Sequence, residues 1–253
     1  MITSGDGGTN RYDVEAGNNT YDNAVIENSK ISGKNKIQNN QSMLDDIMNS
    51  TQYPKQLKDL ALKNEEALEF VYDYPAEHVK EHTIDLTEEA SMDSVPLFVQ
   101  WDKRWGYEKY SGNFFAASGC GPTTLSMVVV YLTHNRDASP IAVAKYSKEA
   151  GYSVDGSGSS WTLISEGCMH YGVKAKAVAL DESRMKAELD EGHPIVVNVG
   201  PGDFTDTGHF MVITGYDDEG FSINDPNSIE KSGKRWLFRN ISSQIRAVWS
   251  MYV

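Results

Sequence analysis

Cys120 is the residue of this chain whose surroundings suit a reactive thiol. It stands in Ser118-Gly119-Cys120-Gly121-Pro122-Thr123-Thr124. Pro122 suits the first turn of a helix, where its missing N–H costs nothing. Cys120 is therefore predicted at a helix start, where free N–H groups and the dipole stabilise an anion and so raise the thiolate fraction of a cysteine. Gly119 and Gly121 leave the backbone bare on both sides, so a substrate carbonyl could approach. The alternative is a structural cysteine at a helix start, but such a residue is more often embedded among apolar neighbours.

A thiolate nucleophile needs a base, and the six histidines differ in context. His134 ends a long apolar run and reads as a helix-end residue. His170 shares a helix with Cys168, and His193 lies in the turn DEGHPI. His78 and His82 stand four apart, a spacing that on a helix could hold a metal. The glutamates are misplaced for HExxH and no third ligand is evident, so both read as solvated or capping side chains. His209 opens the strand HFMVIT after Thr207-Gly208, sharing a face with Met211 and Ile213 by alternation. A core histidine with a satisfied hydrogen bond is the alternative there.

Tyr216–Gly220 makes a turn and the chain returns as Phe221-Ser222-Ile223-Asn224-Asp225-Pro226. When this hairpin closes, Asp225 comes beside His209. It can then accept from one imidazole nitrogen while the other addresses Cys120. Pro226 ends the strand. Asn224 is the rival orienter but lies on the opposite face, and Asp217 and Asp218 read as a solvated turn. Gln100, in Val95-Pro96-Leu97-Phe98-Val99-Gln100-Trp101, has a side-chain amide that could join the Cys120 N–H as donor to a developing oxyanion. Taken alone, a glutamine after a short strand carries little signal. Cys168 lacks the cationic neighbours that activate a thiol and reads as buried and inert; a Cys120–Cys168 disulfide would consume the nucleophile.

The elements that must position these residues divide the chain in three. Residues 1–41, rich in Gly, Asn, Ser and Asp, read as a polar linker or tail that cannot bury enough surface to fold alone. Residues 42–94 read as a helical extension: Ser42 could cap one helix, and Pro54 opens a second that Pro75 stops. Leu57, Leu60, Ala61, Leu68 and Val71 fall on one face, expected to pack on the domain beyond it. Residues 95–253 begin with a short strand, PLFVQW, then helices over SGCGPTTLSMVVVYLTH, SSWTLISEGCMHYG and the exposed DESRMKAELDEG, then strands PIVVNV, HFMVITGY, GFSIND, RWLFR and AVWSMYV. Helices followed by a run of strands point to an α+β domain with a largely antiparallel sheet. The stretch Asp155–Ser159 with Trp161 is the candidate cleft wall or lid.

Composition narrows the classes. The net charge is −13, and residues 1–95 carry 18 acidic against 8 basic side chains. So acidic a chain argues against nucleic-acid binding, which needs a basic footprint. Two cysteines give neither a disulfide framework nor a thiolate zinc cage. No apolar run approaches the ~18 residues of a membrane span, and residues 1–30 hold no signal-peptide pattern.

The combination SGCGPTTLSMV, GHFMVITGYDD and INDPNS, with Gln100 upstream, resembles the double-glycine leader peptidase-like (bacteriocin-processing-type) family of papain-fold cysteine peptidases, over about Val95–Val253. The resemblance implies a papain-like α+β fold and a site made of Gln100, Cys120, His209 and Asp225. The Gln–Cys gap of twenty residues is longer than in the transporter-linked members. The resemblance further implies thiol-dependent hydrolysis of a peptide or amide bond, a peptide or protein substrate and no metal or organic cofactor. As a stand-alone relative, such a protein is expected outside the cell or at the surface of a Gram-positive bacterium, with any signal or anchor lying upstream. Cell-wall amide hydrolysis, deamidation or acyl transfer would use the same residues. A binding module on the same fold is the non-enzymatic alternative, against which the complete set of four residues argues.

Overall fold

The computed structural model of the chain describes residues 36–253. The expected tail over 1–41 falls mostly outside the described residues; residues 36–41 are already helical, in a helix that runs over 36–49. Ser42 thus lies inside that helix rather than capping it. No glycine or proline interrupts 36–49, so nothing in the backbone stops helix from extending upstream of Ser42.

The chain forms two units, Met1–Ser42 and Met43–Val253, and the second carries all the candidate site residues. Its centre is a six-stranded antiparallel sheet built from β1 (Lys174–Ala177), β2 (Ile195–Val199), β3 (His209–Asp217), β4 (Gly220–Asn224), β5 (Arg235–Trp236) and β6 (Ile245–Tyr252) in the order β1-β6-β2-β3-β4-β5. All five residues of β2 are buried, as a central strand covered on both faces requires. Val196, Phe210, Val212, Trp249 and Met251 enter one core. Their alternates Val197, Val199, Met211, Ile213, Ile223 and Val248 enter a second. Successive residues of one strand therefore feed opposite faces, and both faces are buried.

Helix α2 (Cys120–Thr133), fourteen residues long, is buried from Gly121 to Val130. A helix apolar nearly all round belongs in a core, and this one packs in the first core with Val196, Phe210 and Val212. Thr123 and Ser126 are buried in it too, and their hydroxyls donate to the carbonyls of Gly119 and Ala138 at 2.8 Å and 2.5 Å. That satisfies the polar atoms the apolar environment would otherwise penalise.

The extension packs on the domain as its periodicity predicts: Leu57, Leu60, Ala61, Leu68, Phe70 and Val71 form a third core with Phe114 and Ala116. The single helix expected over about 54–73 is instead broken. Helix α1 (Lys55–Lys63) ends at Asn64, whose backbone is extended, and beyond it come a 3₁₀ turn (Glu65–Ala67) and a short helix (Leu68–Tyr72). The Asn64 side chain accepts from the Glu66 N–H at 3.0 Å, so the residue that breaks α1 also caps the 3₁₀ turn.

Three other expectations change. The segment 95–101 is not a strand. Its backbone groups are taken up by the end of β4 and the loop after it: Asn224 Nδ2 donates to the Val95 and Pro96 carbonyls, and the Gln100 N–H donates to the Pro226 carbonyl at 2.7 Å. The helix expected over 159–172 splits into Thr162–Ser165 and a 3₁₀ turn Gly167–Tyr171, stopped by Gly172 at a φ of 77°. The helix α3 (Glu182–Asp190), capped by Asp181, is not wholly exposed, because Met185 and Glu188 are buried.

Candidate active site

Cys120 is the first residue of α2 and keeps partial access to solvent. The flanking glycines turn out to make room for the protein itself rather than for substrate alone. A Cβ on Gly121 would lie 2.6 Å from Ser159 Oγ, and one on Gly119 would lie 2.6 Å from the Phe115 ring. Gly121 therefore lets the 158–159 strand press against the helix start, placing that segment beside the thiol. Burial pushes the Cys120 thiol up, but the hydrogen bond and charge of His209, with backbone N–H groups of Phe210 and Gly121, outweigh it, and the thiol is held below its ordinary value. These N–H groups and the helix start act in the same sense.

His209, buried, opens β3, and Asp225 lies one residue past the end of β4. In the register of the hairpin Ile213 faces Ile223 and Val212 faces Asn224, so Asp225 falls opposite Met211, diagonal to His209. Asp225 Oδ1 takes His209 Nε2 at 2.7 Å and also accepts the Asn227 N–H at 2.8 Å. That leaves Nδ1 for the thiol side. Burial alone would lower the His209 pKa, but the charge and hydrogen bond of Asp225, joined by the contacts with Cys120, push it up to about 10. Both shifts favour a thiolate–imidazolium pair over the neutral one. Asn224, the rival orienter, spends its amide on Val95 and Pro96.

Gln100 is buried and lines the same cleft as Cys120 and His209. Its Nε2 donates one hydrogen to the Ala116 carbonyl at 2.7 Å, and an amide nitrogen carries two. Its Oε1 has no partner. The Pro226 carbonyl holds the Gln100 N–H, so this residue is tied directly to the Asp225 loop.

The thiol opens on two adjoining hollows of about 520 and 710 Å³. The first is bounded by α1, through Gln56, Asp59 and Lys63, and by the 202–208 loop. The second is bounded by residues 156–159, Trp161 and Arg246. Trp161 is half exposed and meets Trp249 edge-on at 6.0 Å. The stretch expected as a cleft wall thus does flank Cys120. The contribution of α1 is a surprise, since helical periodicity reports only the face of α1 that is buried.

The remaining candidates lie apart from this group. Cys168 is a free thiol wholly buried in the first core, and burial pushes it up to about 11. His134 takes the left-handed cap of α2 and hydrogen-bonds the Ala90 carbonyl. His170 stacks on Tyr146. His78 and His82 hydrogen-bond backbone carbonyls of Tyr74 and Glu77. Among the described residues, one group of three metal-ligating side chains comes together, Glu188, Glu191 and His193. Glu188 there is already bonded by Lys176 and Ser250. The sequence did not point to Asn227, whose role comes from its backbone N–H; the turn-forming Asp-Pro-Asn run was the available signal.

Residues 92–253 match the model of the Peptidase_C39 like family, and the chain belongs to that family. Family and fold are those of cysteine-peptidase-type hydrolases, with a papain-like α+β architecture. Among solved structures, the chain is similar to the peptidase domain of Streptococcus ComA, described as a bi-functional ABC transporter involved in a quorum-sensing pathway: 18% identity, 62% of this chain, 96% of that one, TM-score 0.44. It is also similar to a putative C39-like peptidase from Bacillus anthracis, at 18% identity over 63% of this chain and 95% of that one, with a TM-score of 0.39. No curated protein matches the chain.

Proposed function

We propose that this protein is a cysteine peptidase that cleaves a peptide or amide bond with Cys120, His209 and Asp225. The observation that carries this reading is the single line of contacts from the Cys120 thiol through His209 to Asp225, opening on a cleft. The Cys120 thiolate attacks the carbonyl carbon. The oxyanion that forms lies toward the Cys120 N–H and the second hydrogen of Gln100 Nε2. The His209 imidazolium donates its proton to the leaving amine, which departs and leaves a thioester on Cys120. Neutral His209 then takes a proton from water, whose oxygen attacks the thioester, and the acid product and free thiol are released. Asp225 keeps the imidazole in the orientation that both steps need.

The test is cleavage of a peptide library, read by mass spectrometry, with Cys120→Ala as control. New termini that appear with the native protein and vanish with the variant are expected. Identical products from both proteins would overturn the assignment of Cys120.

A further inference from the structure

Asp225 is buried and unsatisfied on one side: its Oδ2 has no partner. Its backbone is held by Ser232 Oγ, which takes the Asp225 N–H at 2.9 Å, and by the Ser228 N–H, but its carboxylate is oriented by Oδ1 alone, shared between His209 and the Asn227 N–H. The contacts that hold Asn227 therefore matter for the imidazole, and many of them come from the extension. Asn64 Nδ2 donates to the Asn227 carbonyl at 2.9 Å and to Asn227 Oδ1 at 3.1 Å. Glu66 accepts from the N–H groups of Ile229 and Glu230 at 2.8 and 3.0 Å and from the Ser228 hydroxyl. Trp101 Nε1 adds a bond to the Asn227 carbonyl at 3.2 Å. Two side chains separated by one residue thus grip, from outside, the turn at Asn227 and the start of the short helix Ile229–Ser232. Both belong to the extension and precede the span 92–253 that matches the family.

We infer that Asn64 and Glu66 are positioning residues: they hold the loop 225–230 so that Asp225 meets His209, and the reactive pair depends on a segment outside the peptidase domain. This rests on the proposed role of Cys120, His209 and Asp225. Neither residue touches the thiol or the imidazole; Asn64 acts through Asn227, and Glu66 through the backbone of Ser228–Glu230 that follows it. The backbone break at Asn64 then has a use. It frees the Asn64 amide to reach Asn227 and turns Glu66 toward the Ser228 hydroxyl and the N–H groups of Ile229 and Glu230.

The experiment is the pH dependence of Cys120 alkylation by iodoacetamide, read by mass spectrometry, which needs no substrate. Glu66→Ala and Asn64→Asp are expected to slow labelling at pH 6 by about 3- to 10-fold, the scale of one or two lost hydrogen bonds to charged or backbone partners. Asn64→Asp keeps the acceptor for the Glu66 N–H, removes the donor to Asn227 and sets a carboxylate against the two Asn227 oxygens. Glu66→Gln should label like the native protein, because its amide can present oxygen to the two N–H groups and nitrogen to the Ser228 hydroxyl. In an Asp225→Asn background Glu66→Ala should add no further slowing. An equal slowing in that background, or none in the native one while Asp225→Asn alone is slow, would overturn the clamp and leave the reactive pair standing. Labelling of native Cys120 no faster than that of Cys168 would instead overturn the proposed reactive pair. Should Glu66→Ala fail to fold by circular dichroism, Asn64→Asp and Glu66→Gln decide the matter alone.

Discussion

At the scale of single residues the two cysteines make the sharpest contrast. Cys168 is enclosed by the first core and pushed up to about 11, whereas Cys120 is held down by His209 and two backbone N–H groups. These shifts set the sign of the pH dependence. A lowered thiol keeps its nucleophilic form as pH falls, and a raised imidazolium persists as pH rises toward about 10. Cys120 should therefore be alkylated by iodoacetamide much faster than Cys168 at pH 6, and equal rates would refute the thiolate. Once a substrate is found, the four side chains should differ in cost. Cys120→Ala and His209→Ala should abolish turnover, and Asp225→Ala should leave a measurable remainder. Gln100→Ala should lose on the order of 10²–10³ in kcat, the usual range for one oxyanion donor. The hydrogen bond of Gln100 to Ala116 sharpens that last expectation. It fixes the amide while leaving one hydrogen over, and near-normal turnover in Gln100→Ala would remove it from the oxyanion role.

At the scale of elements, the sequence told most where the chemistry was local. The helix start at Cys120 was legible because Gly-Cys-Gly-Pro is a local signal, and the hairpin of β3 and β4 because a polar Tyr216–Gly220 turn separates two strand-like runs. The meeting of His209 with Asp225 then came from strand geometry alone. The features that could not be read depended on distant partners. Asn64 breaks a periodic helix to bond Asn227, 163 residues away. The segment 95–101 looks like a strand, yet its hydrogen bonds go to an asparagine side chain and a loop carbonyl. β1 is an edge strand, Lys-Ala-Lys-Ala, mostly exposed; lysines suit an edge but give no apolar pattern. The glycines around Cys120 were legible as bare backbone, but not as seats for Ser159 and Phe115. This gives an element-scale prediction. Ser159 is held by its strand pairing to Ser153 and by the Tyr110 hydroxyl at 2.6 Å, so it yields poorly to a new methyl group. Gly121→Ala should destabilise the protein by about 1–3 kcal/mol, the usual cost of overpacking, measured by denaturant unfolding. Adding Ser159→Gly should restore most of the loss; a double variant no better than Gly121→Ala would show that the contact is not the cause.

At the scale of the unit Met43–Val253, the extension and the span 92–253 that matches the family share a core. The third cluster joins residues 47–71 to Phe114 and Ala116, with Trp101 and Tyr107 packed against it. Phe70 is its hinge point: it is 3% exposed, stacks on Tyr107 at 4.2 Å and 12°, and stands where a Cβ on Gly106 would lie 2.8 Å away. Contacts this tight across the boundary mean the two parts should unfold together rather than in turn. All five tryptophans lie at or beyond residue 101 and four of them, all but Trp101, lie outside the third cluster, so their fluorescence reports chiefly on the domain beyond the extension, while Phe70 is in the extension. Phe70→Ala should cost about 3–5 kcal/mol, as loss of a buried aromatic usually does. It should lower the guanidinium midpoint followed by tryptophan fluorescence as much as the one followed by circular dichroism. Were the extension a separate folding unit, the variant would leave the fluorescence transition in place and split the dichroism transition in two.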